Sequence, residues 1–195
     1  KSLSVVELSS MAHKLEACFH GSSSGLDTTV IAYEKAIVFQ KERTPKLLDV
    51  KPLQEEGETH PWRFALVDTN TRSATITMIE KAKPFFQGAA GQRRLAHFDL
   101  QAQKMFTGLV EADLPLVVHS IEQTHQLLET AQLVPPSMQE QINIAKQCGV
   151  LASKVTGAGG GGCFLCLLAP SSFSQTLDLL RKRLGEACVY DFSLR

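Results

Sequence analysis

The 195 residues carry 20 Lys and Arg against 20 Asp and Glu, with 44% hydrophobic and 21% charged residues. That composition builds a globular core and excludes a disordered chain or a strongly basic, nucleic-acid-binding one. No apolar run approaches the ~18 residues needed to span a bilayer, and there is no secretory h-region, so the expected compartment is the cytosol.

Ser4-Val-Val-Glu7 is a capping-box pattern. It predicts an amphipathic helix with Val5, Leu8, Met11, Ala12, Leu15 and Phe19 at helical spacing, ended by Gly21. "GSSSG" (21–25) reads as a loop, followed by a short helix from Asp27 to Tyr33 and a strand over 36–41. A further strand is expected over 47–50. The polar, acidic stretch 51–61 reads as a connection between two subdomains.

"WRFALVDTN" (62–70) predicts a strand entering a polar loop, then a helix over 73–83. Pro84 and the glycines of "FQGAAGQRR" interrupt the helical pattern, which returns over 95–111. Long helices follow over 115–132 and from Ser137 to Gly149, separated by Pro135 and Pro136. An apolar segment ending in 152–156, a glycine loop, a strand over 163–168, a helix capped by Ser171 or Ser172 and a last strand over 187–194 complete the chain. Strands with interspersed helices make the fold α+β or α/β.

The five cysteines are Cys18, Cys148, Cys163, Cys166 and Cys188. An odd number in mostly apolar surroundings suits a reducing compartment. Cys163-Phe-Leu-Cys166 is formally a CxxC, but positions three apart on a strand point to opposite faces, so the pair reads as core rather than as a redox or zinc site. His13, His60, His97, His119 and His125 have no metal-ligand spacing and read as structural.

The loop "GAGGGG" (157–162) holds the densest glycine cluster of the chain. It satisfies GxGxxG, but a dinucleotide site needs a helix after the loop, and "CFLCLL" follows. A P-loop needs Lys and Ser/Thr after its last Gly, where Cys163 and Phe164 stand. What remains is a bend between two strands, either a tight hairpin or amides that cradle an anion. Five glycines exceed the need of a hairpin, so close approach of a phosphate, or of another phosphate loop, is the favoured reason.

"KVTGAGGGGC" resembles the third motif of the GHMP kinases, and "EACFHGSSSGLD" (16–27) is similar to the HGxPSGxD segment of the mevalonate kinase family. The family's Pro is Ser23 here, and its frequent Asn after the Asp is Thr28. The resemblance implies a GHMP-kinase-like α+β fold. Residues 1–55 would end the N-terminal catalytic domain, and residues 56–195 would form a C-terminal α/β sandwich domain with an antiparallel sheet. It implies ATP-dependent phosphorylation of mevalonate in isoprenoid precursor synthesis. The alternatives are another GHMP small-molecule kinase (phosphomevalonate, homoserine or sugar) or a kinase-like binding protein without turnover.

Under the resemblance, Asp27 accepts or orients the proton of the substrate hydroxyl, and Glu16 is a Mg²⁺ ligand. Gly157, Ala158, Gly159, Gly160 and Gly161 bind the phosphates of ATP. His20, Ser24, Gly25 and Thr75 face the substrate, and a homodimer is admitted. On residues alone, Asp27 reads equally as an N-terminal helix cap, Glu16 as a solvated surface acid, His20 as a dipole partner at a helix end, and Thr75 and Ser73 as helix starters. The family's GLGSS phosphate loop and an N-terminal lysine are not in these residues and are expected upstream of Lys1; the chain by itself is then expected to be inactive.

Overall fold

A computed structural model describes residues 3–20, 24–41 and 43–194. The chain divides into two compact units, Lys1–Val50 and Lys51–Arg195.

In the first unit, α1 (Val5–His20) begins with the expected capping box. The Ser4 N–H and hydroxyl both donate to Glu7 Oε2 at 2.8 Å, and the Glu7 N–H donates to Ser4 Oγ at 3.3 Å. α2 (Leu26–Tyr33) packs against α1. A two-residue ladder joins β1 (Ile37–Val38) to β2 (Lys46–Leu47), shorter than the strands expected there. The apolar stripe of α1 is not the face turned to α2: Val5, Leu8, Met11 and Leu15 are 44%, 44%, 48% and 58% exposed. The contact runs instead through the neighbouring face, where Ser9 meets Thr29 and His13 meets Gly25.

The second unit opens with a hairpin, β3 (Leu53–Glu55) and β4 (Glu58–His60). This corrects the reading of 51–61 as a connection. Glu56 and Gly57 at the turn have φ of 51° and 82°, the pair of positive angles that a two-residue turn needs to match strand twist. β5 (Trp62–Asp68), β6 (Ala152–Val155), β7 (Cys163–Leu168) and β8 (Val189–Leu194) form one antiparallel sheet in the order β6-β7-β5-β8. Alternation along the strands sends Ala65, Val67, Phe164, Cys166 and Leu168 into a core with α6 (Pro136–Gln147) and α7 (Phe173–Leu184). Trp62, Phe64 and Leu167 point to the opposite face and are buried there too.

α3 (Thr75–Ala82) runs through a 3₁₀ turn into α4 (Gly88–Glu111), which starts seven residues before the expected point. Gly91, taken as a breaker, lies inside α4, where a Cβ would strike the Phe86 backbone. α5 (Leu114–Thr130) is antiparallel to α4 and is capped by Asp113, whose Oδ1 accepts the Leu116 N–H at 2.9 Å. His125 on α5 is buried, as a structural histidine should be, with Nε2 3.2 Å from Gln139 Oε1; burial pushes its pKa down. No helix among the described residues is long and apolar enough to cross a membrane. The architecture is α+β, with helices packed on an antiparallel sheet.

Candidate functional site

The glycine loop joins β6 to β7, whose antiparallel register pairs Val155 with Phe164. Its base is closed by Thr156, whose N–H and hydroxyl both donate to the Cys163 carbonyl, at 3.0 and 2.8 Å. Above that base every glycine has a positive φ: 64° at Gly157, 83° at Gly159, 76° at Gly160, 150° at Gly161 and 75° at Gly162. An L side chain is strained in such a backbone, which accounts for the composition without any ligand.

Close approach adds to this, and the approaching group is the protein itself. A Cβ on Gly159 would lie 2.5 Å from the Leu133 carbonyl oxygen, and one on Gly161 would lie 2.8 Å from that of Thr71. One on Gly160 would strike Met78 and Ser73. The expectation that a phosphate excludes these side chains is corrected at those three positions. At Gly157 and Gly162, by contrast, a Cβ would meet nothing within 4 Å.

The loop is held from two sides. The Gly160 N–H donates to Leu133 O at 2.7 Å, and the Gly162 N–H to Thr71 O at 2.7 Å. Thr69 returns its N–H and hydroxyl to Gly162 O at 3.0 and 2.7 Å, and Ser73 Oγ donates to Gly159 O at 3.2 Å. Among the described residues, the N–H groups of Gly157, Ala158, Gly159 and Gly161 have no partner. Successive unpaired amides on a backbone that enters the left-handed region, as at Gly157 and Gly159, meet the physical requirement of an anion nest.

Beside the loop, Arg72 clasps Asp68 with two guanidinium nitrogens at 2.7 and 2.6 Å, which holds the Asp68 carboxyl down at about 2. An apolar cavity of about 250 Å³ borders Gly157 and Ala158, walled by Met78, Ile79, Phe98 and Leu128. The residues that fix the loop, Thr71 and Leu133, were missed in the sequence; nothing local to either points at the glycines. Ser73, expected as a helix starter, serves the loop instead. The Thr75 side chain lies outside the described residues.

The other motif lies in the first unit. Gly25 is the N-cap of α2 with φ 80°, and Ser24 Oγ accepts the Leu26 N–H at 3.2 Å. The capping role considered for Asp27 is therefore taken by its neighbours. Asp27 stands in the first turn of α2, exposed, and its carboxylate has no hydrogen bond among the described residues. Glu16 is half-buried in the C-terminal part of α1. Residues 21–23 and the His20 side chain lie outside the described residues. No group of three or more His, Cys, Asp or Glu converges among the described residues. A one-carboxylate contribution fits Mg²⁺, which keeps waters and substrate phosphates as its remaining ligands.

Antiparallel sheet, helical cover and an amide-rich bend between two strands define a class. The fold is that of the GHMP kinases, and residues 105–186 match the family described as GHMP kinases C terminal. Within that class the chain is similar to mevalonate kinases. It is 30% identical over 192 residues to mevalonate kinase ERG12 of Gibberella zeae, covering 93% of this chain and 37% of that protein. The crystal structure of L. major mevalonate kinase in complex with R-mevalonate superposes with a TM-score of 0.82 at 17% identity, over 100% of this chain and 59% of that one. Streptococcus pneumoniae phosphomevalonate kinase, in complex with phosphomevalonate and AMPPNP, gives 0.74 at 17% identity, over 99% and 62%. The chain thus spans little more than a third of the length of that curated relative.

Proposed function

We propose that the chain is part of an ATP-dependent small-molecule kinase that converts mevalonate to phosphomevalonate. Residues 1–50, close to the 1–55 expected from the sequence, complete an N-terminal catalytic domain, and residues 51–195, which keep the β3–β4 hairpin whole, form the C-terminal domain. The GLGSS phosphate loop comes from a further segment, in keeping with the relatives' greater length. The observation that carries the reading is the set of four unpaired amides at Gly157, Ala158, Gly159 and Gly161, in a chain that also holds Asp27 in an HGxxSGxD motif.

Bound Mg²⁺-ATP supplies the phosphoryl group and neutralises its charge; positioning and charge are most of what such a transfer needs. The Asp27 carboxylate takes the proton of the substrate hydroxyl as that oxygen bonds to the terminal phosphorus and the bond to the ADP oxygen breaks. Glu16 offers one oxygen ligand to the metal. The amides of Gly157, Ala158, Gly159 and Gly161 donate to phosphate oxygens, the Gly160 N–H being committed to the Leu133 carbonyl instead of to phosphate as expected from the sequence, and His20, Ser24, Gly25 and Thr75 line the alcohol. The reaction is cytosolic, in a chain able to form a homodimer.

The test is Asp27→Asn in the polypeptide that joins this chain to its GLGSS segment, assayed with mevalonate. The expected outcome is a loss of kcat on the order of 10²-fold or more, with ATP affinity kept. An unchanged kcat would sink the reading. A second reading, a kinase for phosphomevalonate, rests on one observation, a superposition on phosphomevalonate kinase that covers 99% of this chain at a TM-score of 0.74; a panel of alcohols decides between them.

A further inference from the structure

Asp27 has no hydrogen bond of its own among the described residues, so nothing attached to its carboxylate sets its direction. Its backbone is another matter. Two residues before it, the Gly25 carbonyl accepts three donors: the Thr29 N–H at 3.1 Å, Thr28 Oγ1 at 3.1 Å and Thr29 Oγ1 at 2.6 Å. Two residues after it, Thr29 is buried, and its Oγ1 lies 3.2 Å from Ser9 Oγ on α1. A threonine hydroxyl has one proton, and the short bond to Gly25 uses it, so Ser9 is the donor to Thr29. One turn further along α1, the His13 ring lies under Gly25: a Cβ built there would sit 3.0 Å from His13 Nδ1 and 3.2 Å from Cε1. Gly25 is thus pinned from below by His13 and from within by Thr28 and Thr29, and Thr29 is pinned to Ser9.

We infer that Ser9, Thr29 and His13 form a latch that fixes the first turn of α2 on α1 and thereby aims Asp27. These are positioning residues, since none is argued to touch substrate. The inference rests on the reading of Asp27 as the group that meets the substrate hydroxyl. An effect is expected because a shift of about 1 Å at a reacting group can cost as much as 10²-fold in rate. Ser9, His13 and Thr29 all border a cavity of about 560 Å³, with Tyr33, Lys41 and Arg43, and of the three only Thr29 is buried. The test is therefore placed at Thr29, the buried member.

Thr29→Val keeps the β-branched shape and deletes the hydroxyl. In the polypeptide carrying the GLGSS segment, it should lower kcat for mevalonate by about tenfold while KM for ATP stays within about twofold; Thr29→Ser should restore most of the rate. The decisive readout is the cycle with Asp27→Asn. A latch that acts through Asp27 has nothing left to aim once the carboxylate is gone, so Thr29→Val should cost no further rate in that background. Equal losses in both backgrounds, or no loss in either, overturn the latch while leaving the function intact. A full rate with Asp27→Asn alone instead overturns the function. If Thr29→Val does not fold, Ser9→Ala, at a half-exposed position, carries the same cycle and the same outcomes.

Discussion

Gly159→Ala and Gly157→Ala separate the two reasons for glycine in the β6–β7 loop. Both positions have a left-handed backbone, with φ of 83° and 64°, so both variants bear a conformational cost of about 1–2 kcal/mol, part of it offset by the stiffer unfolded chain. At Gly157 a Cβ meets nothing within 4 Å, and the cost ends there. At Gly159 it would lie 2.5 Å from Leu133 O and 2.9 Å from Leu133 Cβ, a backbone neighbour that cannot rotate away. Relief requires the loop to withdraw from Leu133, which breaks the 2.7 Å bond from the Gly160 N–H and strands a carbonyl on a residue only 4% exposed. Leaving such a group unpaired costs about 1–3 kcal/mol. Gly159→Ala should therefore be less stable than Gly157→Ala by about that amount.

The chain offers its own reporter. Trp62 is the single tryptophan and fully buried, with its indole N–H on the Lys51 carbonyl at 2.8 Å, so its fluorescence follows unfolding of Lys51–Arg195. Urea titrations should give midpoints in the order wild type, Gly157→Ala, Gly159→Ala, at a common slope. Equal midpoints for the two variants would refute the argument that Leu133 sets the difference.

Thiol chemistry should sort the cysteines by burial. Cys18 is exposed and should react first with an aromatic disulfide reagent, while Cys166, buried with its thiol pushed up to about 12, should stay silent until the chain unfolds. Early labelling of Cys166 would contradict the packing of β7. The Asp68–Arg72 clasp fixes a titration: a carboxyl lowered from 3.8 to about 2 contributes its ion pair above 3.8 and loses it as the pH falls toward 2. Carbon-detected NMR should find the Asp68 midpoint near 2, and Arg72→Ala should return it toward 3.8; an unshifted midpoint in the parent protein would rule the clasp out.

The sequence made the second unit largely legible. Near-continuous apolar runs gave β5 and β7, and β7 was bounded to the residue, because strands buried on both faces leave a continuous hydrophobic signal. The helix starts expected at Pro115 and Ser137 each fell within one residue of the observed ones, Leu114 and Pro136, because proline punctuates a helix by chemistry local to it. The β3–β4 hairpin was missed because its short strands are polar, although Glu56-Gly57 was a readable turn. The start of α4 was missed because glycine was taken as a breaker, where Gly91 is needed for contact with Phe86. For the candidate site, the glycine cluster was visible as a special backbone, but its cause was not. Leu133 and Thr71 lie far from residue 159 in the chain, and no spacing rule links a carbonyl at 133 to a glycine at 159.

Folding autonomy is where the two units should differ most. Lys51–Arg195 has a core of its own, in which Val67, Ile142, Phe164, Leu168 and Leu180 are fully buried around the sheet. Lys1–Val50 lies in the size range where a single core is marginal. It also leaves Val6, Leu15 and Ile31 at 62%, 58% and 74% exposure, so much of its apolar surface gains nothing from folding. Produced alone, residues 51–195 should unfold in one cooperative step with Trp62 as reporter. Residues 1–50 alone should give weak, non-cooperative helicity, α1 and α2 being too short to persist without packing. Circular dichroism and urea titration of the two pieces decide it. A sharp cooperative transition in residues 1–50 would mean that Ser9–Thr29 and His13–Gly25 support a fold by themselves, and the exposed stripe of α1 would then call for a different explanation.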